Sequence, residues 1–211
     1  MSSMKTILMI LFAVFVLGSA TSGNNFGAAS APGRQKPRQA PKPNNPKASL
    51  RIPDATVYDQ NGNRFRFYTD LVKGKTVAIN FIFTTCTAIC PALTSTFRRV
   101  QTELGDRAGQ DVYLISVSVD PTTDVPERLK EYAAKYKAGP GWTFVTGDKI
   151  EIDSVLKALG TAVADKNDHT PMVLIGNESV GDWSREYGLS PPMRLVELLK
   201  ASASKSDVKP N

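Results

Sequence analysis

Two continuous apolar runs dominate the hydropathy pattern of the chain, TVAINFIF at residues 76–83 and VYLISVSV at residues 112–119. Runs of this kind, without alternation of apolar and polar positions, are typical of strands buried on both faces of a sheet. Between the two runs, apolar residues recur at helical spacing at Leu93, Phe97, Val100 and Leu104. Strand, helix and strand in this order predict a parallel pair with a right-handed crossover.

Further elements are predicted on both sides of this unit. Before it, TVYDQNGNRFRF at residues 56–67 carries Asn61-Gly62 between two short alternating runs, which predicts a β-hairpin. After it, ERLKEYAAKY and IEIDSVLKALG predict helices, and Gly160 marks the end of the second. WTFVTGD predicts a short strand or a turn, PMVLIG at residues 171–176 a buried strand, and RLVELLKAS a final helix. The predicted fold class is α/β, a three-layer domain with an N-terminal β-hairpin extension.

Residues 1–20 have the pattern of a secretory signal peptide. Lys5 precedes an apolar run at residues 7–17, and the small residues Gly18-Ser19-Ala20 follow, so we expect cleavage after Ala20. The run is well short of the ~20 apolar residues that a permanent transmembrane helix needs, which makes an uncleaved N-terminal anchor the weaker alternative. Either way, the domain that follows is expected to be exported and to face an oxidising, periplasmic or extracytoplasmic space.

The net charge of +6 arises before the predicted domain. Residues 21–50 contain five basic side chains and no acidic one, whereas residues 51–211 contain 20 of each sign. The basic segment is rich in Pro, Gly, Asn, Ala and Ser, so residues 21–50 are predicted to form a disordered linker ahead of a domain at 51–203 and a flexible tail at 204–211. Because the chain from residue 51 onwards is neutral overall, nucleic-acid binding is not expected. Weak attraction of the linker to an anionic membrane surface and a purely solvated spacer both remain open.

Both cysteines of the chain, Cys86 and Cys90, lie in FTTCTAICP, with Pro91 directly after the second. Proline is favoured at the first position of a helix, so we expect Cys90 to be the N-cap and Cys86 to lie on the loop before the helix. The positive end of the helix dipole stabilises thiolates there, which prepares the pair to act as a nucleophile or as metal ligands. A disulfide closing so short a loop removes little entropy from the unfolded chain, so a structural staple is the weaker interpretation.

His169 is the only histidine, and it lies just before the predicted strand at residues 171–176. In a parallel sheet of this order we expect its loop to approach the loop that carries the cysteines, with an exposed histidine of no function as the alternative. Two thiolates and one imidazole form a soft three-ligand set that suits Cu(I), or Cu(II) with one more ligand, whereas structural zinc sites use four protein ligands. Asp120 and Asp168 are each interpreted either as a turn or capping residue or as a carboxylate that orients a ligand.

With these motifs in this order, the sequence resembles the Sco/SenC family over roughly residues 50–200. The resemblance is carried by FTTCTAICP, SVSVDPTTDVPERLKEY and DHT. The family consists of thioredoxin-fold copper proteins that help to metallate the dinuclear copper centre of cytochrome c oxidase. The resemblance implies a thioredoxin-like domain in which Cys86, Cys90 and His169 bind copper, as Cu(I) or Cu(II).

The resemblance also implies a copper chaperone that acts as a monomer, with a copper-accepting oxidase subunit or another copper chaperone as its partner. The alternative is a thiol-disulfide reductase that acts on the cysteines of a copper-accepting partner, with Cys86 attacking and Cys90 resolving. Thr170-Pro171 keeps this alternative open, because thioredoxin-fold oxidoreductases place a cis-proline beside their cysteines at this point. The family often has Pro-Asp between its cysteines where this chain has Thr87-Ala88, a difference that leaves the ligands intact.

Overall fold

The computed structural model describes residues 50–207. The predicted signal peptide at residues 1–20, and the predicted linker up to residue 49, lie outside the described residues. The described strands are β1 (Thr56–Asp59), β2 (Arg64–Arg66), β3 (Thr76–Ile82), β4 (Val112–Ser118), β5 (Trp142–Thr146), β6 (Met172–Asn177) and β7 (Asp182–Tyr187). The α-helices are α1 (Ile89–Leu104), α2 (Pro126–Lys135), α3 (Lys149–Leu159) and α4 (Pro192–Asp207). The shorter helical turns are a π-helical turn (Phe67–Val72) and three 3₁₀ turns (Gly105–Arg107, Lys166–Asp168 and Glu178–Val180).

The seven strands form one mixed sheet in the order β2-β1-β5-β4-β3-β6-β7. β3, β4 and β5 are parallel neighbours, with Ile82 opposite Ser118 and Val117 opposite Val145. Every residue of β3 is buried, as its continuous apolar run predicts for a strand covered on both faces. Helix α1 connects β3 to β4, so the predicted parallel pair with its crossover helix is confirmed.

The N-terminal hairpin is also confirmed. β1 and β2 pair antiparallel with Val57 opposite Phe65, and Gly62 lies in the turn with φ +80°, a conformation that glycine adopts at no steric cost. β1 then pairs antiparallel with β5, which attaches the hairpin to the edge of the parallel strands. The hairpin therefore extends the sheet on the side away from β3.

Helices cover both faces of the sheet, which gives the predicted three-layer α/β architecture. One buried cluster joins the sheet to α1, α2 and α4, and it includes Leu93, Phe97, Leu129, Leu195 and Leu199. The second cluster joins the opposite face to α3 and to the π-helical turn, and it includes Phe67, Leu71, Ile152, Val155 and Leu159. Gly160 follows α3 with φ +77°, the left-handed conformation expected of a glycine that ends a helix.

The direction of β6 differs from the expectation. β6 runs antiparallel to β3, with Asn80 opposite Val173, so the expectation of a parallel sheet at this strand was wrong. An apolar run indicates burial on both faces but carries no information about strand direction. The antiparallel direction places the start of β6 beside the ends of β3 and β4. A parallel strand would have placed its entering loop, which carries His169, at the opposite edge of the sheet.

Three segments depart from the elements predicted from the pattern. β7 is a polar edge strand, DWSREY, whose only buried residue is Trp183, so no alternating apolar pattern marks it. The π-helical turn Phe67–Val72 follows the hairpin directly and was not predicted. Helix α4 continues to Asp207, four residues past the predicted end of the domain at 203. None of the helices within residues 50–207 combines the length and apolar character needed to span a bilayer.

Candidate metal centre

The candidate site lies where three loops converge at one edge of the sheet. The loop 83–88 leaves the end of β3, the loop 119–125 leaves the end of β4, and the loop 160–171 enters the start of β6. Because β6 is antiparallel to β3, all three loops emerge at the same edge. The ends of parallel strands are the usual place for ligands in sheets of this kind. The cysteines follow β3 and His169 precedes β6, and these two strands are neighbours in the sheet.

Cys86 lies on the loop before α1, as predicted, but the helix begins earlier than expected. The N-cap is Ala88, so Cys90 is the second residue of the helix and Pro91 the third. The expectation that Cys90 is the N-cap was therefore wrong. All positions of the first turn lack an intrahelical partner for the N–H, so proline is tolerated throughout it, and its presence does not fix the first helical residue.

The sulfur of Cys86 accepts hydrogen bonds from the free N–H groups at the start of α1. Burial raises the pKa of the Cys86 thiol, but hydrogen bonds from the Cys90 thiol and from the backbone of Cys90, Ala88 and Ile89 more than offset this, so the pKa lies below the ordinary value of 9.0. Cys86 thus occupies the place of a capping side chain, and its sulfur faces the positive end of the helix. The loop sulfur therefore ionises more readily than the helical one.

Cys90 is in the opposite environment. Its side chain is fully buried, and burial, together with the neighbouring Cys86, raises the pKa of its thiol to about 12. Its carbonyl accepts a 2.7 Å hydrogen bond from Thr94 Oγ1, which is 2.9 Å from the hydroxyl of Tyr132. The helix turn that carries Cys90 is therefore tied to α2. Both cysteines are free thiols in this structure.

His169 is buried, with 6% of its surface exposed, so the alternative of an exposed loop histidine was wrong. Its Nδ1 lies 2.8 Å from the carbonyl oxygen of Lys166. Because a carbonyl oxygen can only accept, Nδ1 carries the proton and donates it to this bond. In the neutral imidazole, Nε2 then presents a lone pair, and this buried atom has no hydrogen-bond partner among residues 50–207. An imidazole with one nitrogen fixed by a carbonyl and the other free is the arrangement that metal-binding histidines use.

Phe83 connects the two sides of the site. Its backbone hydrogen-bonds to the thiol of Cys90, and its ring packs edge-on against His169 with 5.7 Å between the ring centroids. In the described part of the chain, however, no three side chains of the His, Cys, Asp and Glu types lie close enough together to hold a metal ion. The structure thus brings Cys86 and Cys90 together and places His169 at the same edge of the sheet. The three side chains are not close enough to one another to bind a single ion.

The two aspartates singled out from the sequence have different surroundings. Asp120 is buried and pairs with Lys166 at 2.5 Å, and it caps no helix because the N-cap of α2 is Val125. Asp168 is exposed within the 3₁₀ turn beside His169.

Sequence reasoning missed three residues that hold the loops of the site, namely Asp124, Thr84 and Lys166. The buried carboxylate of Asp124 accepts hydrogen bonds from the hydroxyls of Thr84 and Ser118, both at 2.6 Å, and from the backbone N–H of Thr84. The Asp-Pro at 120–121 drew attention to this segment, but nothing in the sequence pairs Asp124 with a residue 40 positions earlier.

A family model described as SCO1/SenC matches residues 47–186 of the chain. The chain belongs to the SCO1/SenC family. The SCO1 protein homologue of Bacillus subtilis is 38% identical over 93 residues, which are 44% of this chain and 47% of that protein. The aligned stretch thus spans about half of that curated relative.

Solved structures of the family share the fold. The Sco protein BsSco, described as a member of the Sco family of cytochrome c oxidase assembly proteins with a disulfide switch, superimposes with a TM-score of 0.62 at 27% identity, over 79% of this chain and 99% of that one. Copper-bound ScoI of Bradyrhizobium japonicum gives a TM-score of 0.57 at 25% identity, over 70% of this chain and 96% of that one. The thioredoxin-like fold that the sequence predicted is therefore confirmed.

Proposed function

We propose that this SCO1/SenC protein binds one copper ion through Cys86, Cys90 and His169 and delivers it to the dinuclear copper centre of cytochrome c oxidase. The observation that carries the proposal is the buried, unpartnered Nε2 of His169, whose orientation Lys166 fixes from the other side of the ring. A buried nitrogen without a partner costs free energy in the apo protein, and a metal ion repays that cost. The copper-bound ScoI of Bradyrhizobium japonicum supports copper as the ion.

The donor set fits copper as a cargo. Two sulfurs and one imidazole are soft ligands that favour Cu(I), and a three-donor site leaves room for an incoming ligand from a recipient. Both thiols lose their protons when the metal binds, and Cys86 does so more readily because the start of α1 lowers the pKa of its thiol, whereas burial raises that of Cys90. Because the three donors are not within reach of one ion in the described residues, their side chains or loops would have to move closer together when the metal binds.

Copper titration of the reduced protein tests this proposal. We expect one Cu(I) per chain for the natural sequence, measured against a competing chelator, and a loss of affinity of about 10-fold or more in His169→Ala. His169→Ala should leave the thiols reduced and the fold intact, as judged by thiol counting and circular dichroism. Unchanged stoichiometry and affinity in His169→Ala would exclude the three-ligand site.

We propose that this takes place outside the cytoplasm, where the signal peptide predicted at residues 1–20 would direct the chain. The recipient would be a copper-accepting oxidase subunit or another copper chaperone, and the chain would act as a monomer. The basic linker predicted at residues 21–50 would keep the domain near an anionic membrane.

The different environments of the two cysteines favour a second candidate function, the reduction of a partner's disulfide. The Cys86 thiolate would attack one sulfur of that disulfide, forming a mixed disulfide and releasing the other sulfur as a thiolate. Cys90 would then lose its proton and attack Cys86, which yields the Cys86–Cys90 disulfide and a dithiol partner. Bonding to the partner removes the negative charge of Cys86, one of the causes of the high Cys90 pKa. A mixed disulfide that accumulates with Cys90→Ser but not with Cys86→Ser is the expected result, and its absence from both variants would count against this function.

A further inference from the structure

Lys166 contacts residues of all three loops of the site edge, namely Asp120, Phe83 and His169. Its carbonyl oxygen accepts a 2.8 Å hydrogen bond from the Nδ1–H of His169. Its ammonium group pairs with Asp120 at 2.5 Å and lies over the ring of Phe83, 5.3 Å from the centroid. One residue therefore joins the loop after β4, the loop after β3 and the imidazole.

Asp120 offers Lys166 a well-held partner. The carboxylate is mostly buried, and Thr122 Oγ1 donates a 3.0 Å hydrogen bond to its other oxygen. Burial raises the pKa of Asp120, but hydrogen bonds from Lys166, Thr123 and Thr122 more than compensate and lower it. The backbone N–H of Asp120 donates to Ser118 Oγ, which in turn donates to the buried Asp124. The backbone of Asp120 is thus held by the same polar network that holds Thr84, two residues before Cys86, while Thr122 and Lys166 hold its carboxylate.

The loop that carries His169 has few other anchors. Between the buried residues Thr161 and His169, no side chain is buried, and Lys166 is the only one that is even half-buried. Apolar packing therefore does little to fix residues 162–168. The Asp120–Lys166 pair spans 46 residues of sequence and attaches this otherwise exposed segment to the end of β4.

We propose that Asp120 and Lys166 are positioning residues for His169: their ion pair holds the 166–168 turn so that its carbonyl fixes the Nδ1–H tautomer and directs Nε2 towards the cysteines. This deepens the proposed function and rests on it. The pair acts on the metal only through the imidazole. The cysteine loop is held by other contacts, namely the start of α1 and the Thr84–Asp124 hydrogen bonds.

The test is a mutant cycle read out as Cu(I) affinity of the reduced full-length protein. Asp120→Asn and Lys166→Gln are each made in the natural background and in His169→Ala, with thermal unfolding confirming that each variant is folded. Lys149→Gln is the matched control, because it breaks another lysine–aspartate pair of 2.5 Å, with Asp153, on the exposed face of α3. The nitrogen coupling in the electron paramagnetic resonance spectrum of the Cu(II) form reports imidazole ligation separately.

We expect Asp120→Asn and Lys166→Gln each to lower copper affinity about 10- to 100-fold, the usual effect of losing a group that orients a metal-binding histidine. The same changes in the His169→Ala background should have no further effect, and Lys149→Gln should have none in either background. Equal losses in both backgrounds would mean a general structural role, and unchanged affinity in the natural background would mean no role; either overturns the inference while leaving the copper site standing. Full affinity in His169→Ala alone would overturn the inference and the proposed function together.

Discussion

Cys86 and Cys90 belong to one motif, but the pKa values of their thiols are shifted in opposite directions. The sulfur of Cys86 accepts hydrogen bonds from the free N–H groups at the start of the helix and from the thiol of Cys90. Cys90, in contrast, is enclosed in the core against Phe83. The thiol of Cys86 therefore ionises at a lower pH than the thiol of Cys90. The same difference serves both candidate functions, since Cys86 is the less buried sulfur and the one that ionises more readily.

Alkylation with iodoacetamide as a function of pH measures this difference. Cys86 should react first, and its rate should rise with pH through a midpoint below 9.0, because the alkylating nucleophile is the thiolate. In Cys90→Ala, Cys86 loses the hydrogen bond from the Cys90 thiol, so its midpoint should move to higher pH. Mass spectrometry of the labelled peptides assigns the site. Equal rates at the two cysteines of the native protein would contradict the assignment.

At this scale the sequence named candidate donors by residue type but placed the start of the helix less well. Cysteine spacing, a following proline and a single histidine singled out Cys86, Cys90 and His169, because thiols and imidazoles are the side chains that bind soft metal ions. The first helical residue was misplaced by two positions, since proline suits the whole first turn. Lys166 was not noticed at all. It acts partly through its carbonyl, which every residue has, so no sequence signal marks it.

The loops of the site depend on elements that are distant in sequence. Asp124 lies in the loop after β4, but its carboxylate holds Thr84 in the loop after β3, and the parallel pairing of these strands brings the two loops together. The cysteine loop is thus fixed by a buried carboxylate in addition to the helix that follows it. Such a group is costly to remove because its donors are left buried without acceptors.

Asp124→Ala should destabilise the reduced apo protein by about 2 to 4 kcal/mol, because the Thr84 N–H, the Thr84 hydroxyl and the Ser118 hydroxyl lose their acceptor. Urea unfolding followed by tryptophan fluorescence gives the free energy of unfolding. Asp153→Ala is the control, since its pair with Lys149 is exposed and should change stability by less than about 1 kcal/mol. Equal effects of the two substitutions would show that the Asp124 bonds do not stabilise the fold.

Element by element, the buried strands and most helices were predictable, because they carry the strongest apolar periodicity. The direction of β6 was not, since direction is set by the path of the chain and by tertiary pairing. β7 escaped prediction because it is a polar edge strand. The error in β6 matters for the site, because only the antiparallel direction brings His169 to the edge where the cysteines lie.

For the whole molecule, three loops of the sheet edge carry the candidate site. The cysteine loop is held by α1 and Asp124, and His169 is held through Lys166 and Asp120. A site whose donors lie on different loops can open to release its ion, whereas a closed four-ligand site cannot do so easily. This division suits a protein whose proposed task is to pass copper on.

X-ray absorption spectroscopy of the reduced protein loaded with one equivalent of Cu(I) tests the central claim most directly. The account predicts a first shell of two sulfurs and one imidazole nitrogen in the natural sequence, and loss of the nitrogen in His169→Ala. A shell made of sulfur alone, or a shell that is the same in both proteins, would contradict it.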